Sequence, residues 1–238
     1  MDGTLTTSQR RLVASTWDFR ASAERSALIR FRRLEGELKK ADAPAVVLDL
    51  IAEAIEDEAR HIGLCDMLAR RFGWEGASSP PTPSEPLGPV DASANDRLLY
   101  EMVAFCCITE TINASMLLAI EKRVKALEVR EVVHAILKDE VKHSKVGWAY
   151  LQHVRNQGGG TELDRWFAVM FKEAGVEEVY TPDCGGRDAL VMRDYGELSF
   201  ADRTEIFRRA TRDVVLPGLD HFGYVTTACR SWLDGFEA

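Results

Sequence analysis

The stretch IEDEARHIGL, residues 55–64, sets Glu58 and His61 three positions apart, and LKDEVKHSKV, residues 137–146, repeats the arrangement with Glu140 and His143. Residues three apart on an α-helix lie on one face, so each pair can offer a carboxylate and an imidazole to one metal ion. Such pairs are cheap in a chain with 38 acidic residues and 5 histidines, and two of them could arise by accident. The apolar pattern around them is what decides the reading.

Four stripes of three- and four-residue spacing run through the first two-thirds of the chain. They are Trp17, Ala21, Glu24, Leu28, Phe31, Leu38; then Val47, Ile51, Ala54, Glu58, His61, Cys65, Leu68, Phe72; then Leu99, Val103, Cys106, Glu110, Asn113, Leu117, Ile120; and last Val133, Ile136, Glu140, His143, Gly147, Tyr150. This spacing marks the buried seams of packed helices. Each seam is apolar except near its middle, where a glutamate interrupts it. A buried carboxylate must be paired or must bind metal. Four inward glutamates beside two histidines have no cationic side chains on those seams to neutralise them, and two divalent cations would do so.

Reach along the chain agrees. The midpoint of Glu24 and Glu58 falls in the KKADAP break at 39–44, and that of Glu110 and Glu140 falls in KRVKALE at 122–128. Residues equidistant from the turn of an antiparallel hairpin lie side by side. Each hairpin therefore sets one lone Glu opposite one Glu-x-x-His, as in the carboxylate-bridged sites of four-helix bundles. The expected fold is all-α: two antiparallel hairpins joined by a long crossover over residues 1–157, followed by a helical extension over 158–238.

Helix boundaries follow from local signals. Helix A is expected from about Ser8 to Lys39. Helix B begins after Asp42 and Pro44 and reaches about Phe72, stopping at Gly73. GASSPPTPSEPLGPV at 76–90 is too rich in Pro and Gly for a helix; it resembles a domain linker, but the preferred reading is the crossover between the two hairpins. Ser93 and Asp96 cap helix C, which runs to about Lys122, and helix D ends at Gly158–Gly160. Beyond it, TELDRWFAVMFKEAG reads as a helix capped by Gly175, followed by a loop with Pro182, Gly185 and Gly186. Ser199 then starts a helix interrupted by Pro217, and a last segment carries His221, Phe222, Tyr224 and Trp232. The extension reads as a cap on one end of the bundle that shapes a pocket or forms an interface.

Composition narrows the class. A net charge of −8 without a basic block argues against nucleic acid as the main partner. No continuous apolar run approaches the roughly 20 residues of a membrane span, and MDGTLTTSQRRLV lacks a signal-peptide core. Cysteines 65, 106, 107, 184 and 229 form no Cys-x-x-Cys, so free thiols in a reducing cytoplasm are expected. Cys65 and Cys106 read as core packing, as does Tyr150, while His134, His153 and His221 are uncommitted.

On Glu24, Glu58, His61, Glu110, Glu140 and His143 the chain resembles the ferritin-like diiron-carboxylate superfamily over about residues 10–156. Asp57-Glu58-Ala59-Arg60-His61 is similar to the Asp-Glu-x-Arg-His signature of diiron oxygenases, and Asp139-Glu140-Val141-Lys142-His143 carries Lys in place of Arg. The resemblance implies that Glu58 and Glu140 bridge two irons while Glu24 and Glu110 each terminate one. It implies that Asp57 and Asp139 orient the ligand histidines, His61 by Asp139 and His143 by Asp57 or the reverse. Asn113 stands where the other two motifs place His and is a candidate to hydrogen-bond a ligand.

The implied function is a non-haem diiron oxidase or oxygenase, with Fe/Fe or Mn/Fe as cofactor and O2 as co-substrate, acting on a small organic molecule. An electron donor such as a ferredoxin or flavin reductase, a monomeric or homodimeric state and a cytoplasmic location go with it. The alternative is a ferroxidase, iron-handling or peroxide-scavenging protein using the same centre. A metal-free interaction bundle is a third option.

Overall fold

The computed structural model describes residues 5–78, 80–81, 84–179 and 188–236. Cys184 and the loop residues Pro182, Gly185 and Gly186 lie outside them. Among the described residues every regular element is helical.

Helix α1 spans Thr7–Lys40. Thr6 opens it by accepting from the Gln9 amide while the Gln9 side chain accepts from Thr6 N, a reciprocal cap, and Lys39 and Lys40 sit in its last turn. Asp42, at φ 50, turns the chain into α2, Ala45–Arg71, with Pro44 as its N-cap. Gly73, at φ 95, follows α2 in the left-handed region where a side chain would be strained. The crossover then leads to Ser93, which caps the third long helix by accepting from Asp96 N.

That third helix is not uniform. It consists of α3 (Ala94–Glu101), a π-helical segment (Met102–Thr109) and α4 (Glu110–Arg123). A stripe of regular α spacing gives no sign of the widened turn. The signal that was there is the run Met102–Ile108, apolar and buried throughout, which leaves no polar face. By length and composition, residues 94–123 would suffice to cross a membrane, which the search for continuous apolar runs missed. Within the fold 67% of that apolar window is buried, as in a core helix.

Helix α5, Leu127–Asn156, follows a break at 124–126 whose Lys125 and Ala126 amides donate to the Asp194 carbonyl. Helix α1 packs on α2, α2 on α5, and α5 on both α4 and the π segment. The contact of α5 with the π segment is unusually close. A Cβ at Gly147 would stand 2.7 Å from both Cys107 Sγ and the Met102 carbonyl oxygen. The core fills around Trp17, Phe31, Leu34, Leu38, Ile51 and Ile112, all fully buried.

The C-terminal segments lie along the third helix. A 3-10 turn (Leu163–Trp166) leads into α6 (Phe167–Val179), which packs on the π segment, and α8 (Phe200–Ala210) packs on α4. Between them, α7 (Ala189–Asp194) touches α1. Two expectations are corrected here. Gly175 does not cap its helix, because α6 continues to Val179 and uses the glycine for close approach to Phe207, whose ring would be 3.3 Å from a Cβ. Nor does Pro217 interrupt the helical path. A second π segment (Thr211–Val215) precedes α9 (Leu216–His221), and Pro217 falls in the first turn of α9, where its missing N–H costs least. Helix α10 (Thr227–Asp234) closes an aromatic cluster in which Trp232 lies 6.3 Å from Phe207 and 6.5 Å from Phe171.

Candidate metal centre

Helices α1, α2, α4 and α5 bring six side chains to one place in the bundle. Glu58, His61, Glu110, Glu140 and His143 are buried, and Glu24 is half-buried. They form two overlapping groups whose oxygen and nitrogen atoms lie within 4.8 Å of one another: Glu24, Glu58, His61 and Glu140, and Glu58, Glu110, Glu140 and His143. Glu58 and Glu140 belong to both. All six sequence-predicted ligands are thus assembled, and Glu35 is left out, paired with Lys39 at 2.7 Å on the helix surface.

The contacts have the character of donors aimed at a common point. His61 Nδ1 lies 3.2 Å from Glu140, 3.6 Å from Glu24 and 3.9 Å from Glu58. His143 Nδ1 lies 3.1 Å from Glu58, 3.2 Å from Glu140 and 3.8 Å from Glu110. Despite this proximity, both Glu140 oxygens, one oxygen each of Glu58 and Glu110, and all four ring nitrogens are buried without an aligned hydrogen bond. Orphaned buried polar atoms are costly and rare. Carboxylate oxygens and imidazole nitrogens are ligands suited to iron or manganese. The residues fit a pair of divalent cations.

Protons take the place of cations in the metal-free chain. Burial, with Glu24 and Glu140 nearby, holds the Glu58 carboxyl well above its ordinary range. Burial likewise raises Glu110 to about 8, with Glu140 adding to it. Glu140 goes the other way: burial works to raise it, but the charges of His143 and His61 hold it low. Burial works to lower His61, yet Glu140 and Glu24 raise it to about 9, and Glu140, Glu110 and Glu58 raise His143 against the same penalty. Two carboxyls raised by burial, one held low beside two imidazoles raised in turn, describe a cluster that takes up protons where cations are absent.

The aspartates behind the histidines are crossed between helices. His61 Nε2 lies 3.5 Å from Asp139 of α5, and His143 Nε2 lies 3.5 Å from Asp57 of α2. Of the two pairings open from sequence, the structure takes the first. Arg60 joins the aspartates, donating to Asp57 and, at 2.8 Å, to Asp139. Burial works to raise Asp139, but Arg60 and then His61 hold it below the ordinary range. The bridging role of Arg60 was not foreseen, although its i+3 spacing from Asp57 was visible. Asn113 is half-buried and forms no hydrogen bond to any of the six ligands among the described residues.

Two further neighbours escaped the sequence reading. Phe31 presents an edge to His143, with ring centroids 5.5 Å apart, and packs on Phe105 at 5.0 Å. Buried Glu101 accepts from Arg30 at 3.0 Å, from Arg33, and from the Leu87 amide at 3.2 Å, tying α1 and the crossover to the start of the π segment. Cys65, Cys106, Cys107 and Cys229 are free and buried, and burial raises their thiol pKa values, which suits packing rather than reactivity. His134 is exposed and pairs with Glu121.

Comparison with protein families, with curated proteins and with solved structures finds no match to this chain.

Proposed function

We propose that the chain is a ferritin-like, non-haem diiron oxidase or oxygenase that uses O2 to oxidise a small organic substrate. The observation that carries this reading is the sharing of Glu58 and Glu140 between two ligand groups, each completed by one histidine and one lone glutamate. A bound pair of irons would supply the two electrons that reduce dioxygen. In this reading Glu58 and Glu140 would serve both ions, and Glu24 and Glu110 would each complete one ion's set. Asp139 and Asp57, each 3.5 Å from the outer nitrogen of His61 and of His143, would orient those rings and leave Nδ1 for the ion. Phe31, Phe105, Cys65 and Cys106 keep the surroundings apolar, so that water is excluded and reactive species are retained. The flank of α3, the π segment and α4 covered by α6 and α8 exceeds what a bundle needs to hold iron, and this supports oxidation of a substrate over storage.

The test is anaerobic loading with Fe(II), metal analysis, and then a pulse of O2 with and without candidate substrates. Two irons per chain and substrate-dependent decay of an absorbing species support the oxygenase. A ferroxidase would oxidise added Fe(II) catalytically, deposit ferric mineral and elute as a large cage. Absence of metal uptake would reduce the protein to a helical interaction bundle.

A further inference from the structure

The stripes of α2 and α5 are buried at every inward position, from Val47 to Phe72 and from Val133 to Tyr150. On the other two helices, inward Glu24, Leu28 and Asn113 are only half-buried, all within about one turn of the ligand cluster. These positions lie beside the seam of α1 and α4, where α1, packed closely on α2, makes few close contacts. Both ends of that seam are pinned. At one end Phe31 meets Phe105 at 5.0 Å and Arg30 pairs with Glu101 at 3.0 Å. At the other, Trp17 Nε1 donates to the Tyr195 carbonyl at 3.1 Å and Arg20 to the Gly196 carbonyl at 3.0 Å, wedging the segment after α7 between α1 and α4.

Between the pins, Leu28 apart, the side chains facing the seam are small or polar. Ala23 is exposed, and Ala27, Thr109 and Asn113 are half-buried, with the Glu24 carboxylate, 13% exposed, behind them. The opposite side of the cluster is shut by Arg60 lying across Asp57 and Asp139.

We propose that this seam is the mouth of the centre, through which divalent cations and a compact substrate reach Glu24 and meet the Asn113 amide on the way. The proposal rests on the dinuclear reading above. It adds that the two ion positions are unequal: the ion in the Glu24 group exchanges with solvent, and the ion in the Glu110 group is held behind it.

Cobalt(II) uptake by the metal-free full chain, followed by absorbance after rapid mixing, tests the proposal. Ala27→Phe and Ala23→Trp fill the window without touching a ligand, and Ala23 is exposed, so its replacement does not put the fold at stake. Both variants should bind two ions at equilibrium, as the unaltered chain does, but load about tenfold more slowly, a barrier higher by about 1.4 kcal/mol. Val141→Trp, equal bulk at an exposed position of α5 beside Glu140, should load at the unaltered rate. Unchanged rates in both window variants, or equal slowing by Val141→Trp, overturn the mouth while leaving the centre intact. An unaltered chain that takes up no cobalt overturns the dinuclear reading and the mouth with it.

Discussion

The hairpin of α1 and α2 and the hairpin of the third helix and α5 each set a lone glutamate against a Glu-x-x-His pair, but on different backbones. The first uses unbroken α-helix, and its lone glutamate, Glu24, keeps 13% of its side chain exposed. The second widens into a π turn just before Glu110, which is then only 4% exposed and lies beside the close contact at Gly147. Widened turns of this kind are rare and occur mostly at functional sites. Here the π segment and the missing Cβ at Gly147 together let α5 approach Met102, Cys106 and Cys107 closely, one turn before the enclosed carboxylate. The same spacing plan therefore leaves one lone glutamate touched by solvent and the other enclosed.

Replacing a shared carboxylate should erase the difference between hairpins altogether. Glu58→Ala is expected to lose both ions, whereas Glu24→Ala and Glu110→Ala each retain roughly one, as metal analysis of dialysed protein would show. Retention of two ions by Glu58→Ala would refute the bridge.

The next largest effect belongs to the sealed side. Gly147→Ala forces a Cβ to 2.7 Å from a backbone carbonyl, and overpacking of this kind costs about 1–3 kcal/mol. A fall in Tm of roughly 2–4 °C per kcal/mol is expected for a chain of this size. Gly63→Ala on α2, where a Cβ meets nothing within 4 Å, should instead raise Tm slightly, because alanine favours a helix interior over glycine by about 1 kcal/mol.

Acidity sharpens the contrast between bare and loaded protein. Glu110 is raised to about 8 and His61 to about 9, so the folded metal-free chain holds more protons than the unfolded chain between the ordinary carboxylate range and pH 9. For Glu110 this stability fades as pH rises from about 4.5 to 8; for His61 it is complete below about 6.5 and fades through 9. Metal displaces the same protons, so the Tm difference between loaded and bare protein should widen from pH 6 to 9. A difference that narrows with rising pH would contradict the proton-filled cluster.

Asp57→Asn and Asp139→Asn act one layer further out, and each should weaken metal affinity by about 10- to 100-fold in competition with a chelator. Equal, unaltered affinities would mean that the crossed contacts do not tune the histidines. Smallest of all is Glu35→Ala. It removes an exposed pair with Lys39 worth at most about 0.5 kcal/mol and should leave metal content untouched.

Much of this plan was legible because buried carboxylates break an apolar seam at places a helical period can count. The six ligand positions, the breaks at 41–44 and 124–126 and the cap at Ser93 all follow from local spacing and turn chemistry. What was hidden depends on tertiary contact. Met102–Ile108 look alike as letters, so nothing local says that their turn widens. The close contact that the widening permits lies with Gly147, well along the chain. Continuation through Gly175 and Pro217 was misread for a related reason: glycine and proline stop helices by default, but here one accommodates Phe207 and the other sits in a first helical turn. The dinuclear chemistry itself comes from resemblance and geometry, and awaits the iron experiment.

The crossed aspartates bear on how the protein is made. His61 leans on Asp139, which leaves the ribosome only after another 77 residues have been joined to the chain. A nascent first hairpin therefore presents an imidazole without its carboxylate support, three of the four residues of one group and only Glu58 of the other. We expect cation capture to be postponed until both halves have come together, so that a truncated product ending in the crossover holds cobalt far more weakly than the finished chain. Equal affinity in the two would show that the ion is gathered before assembly.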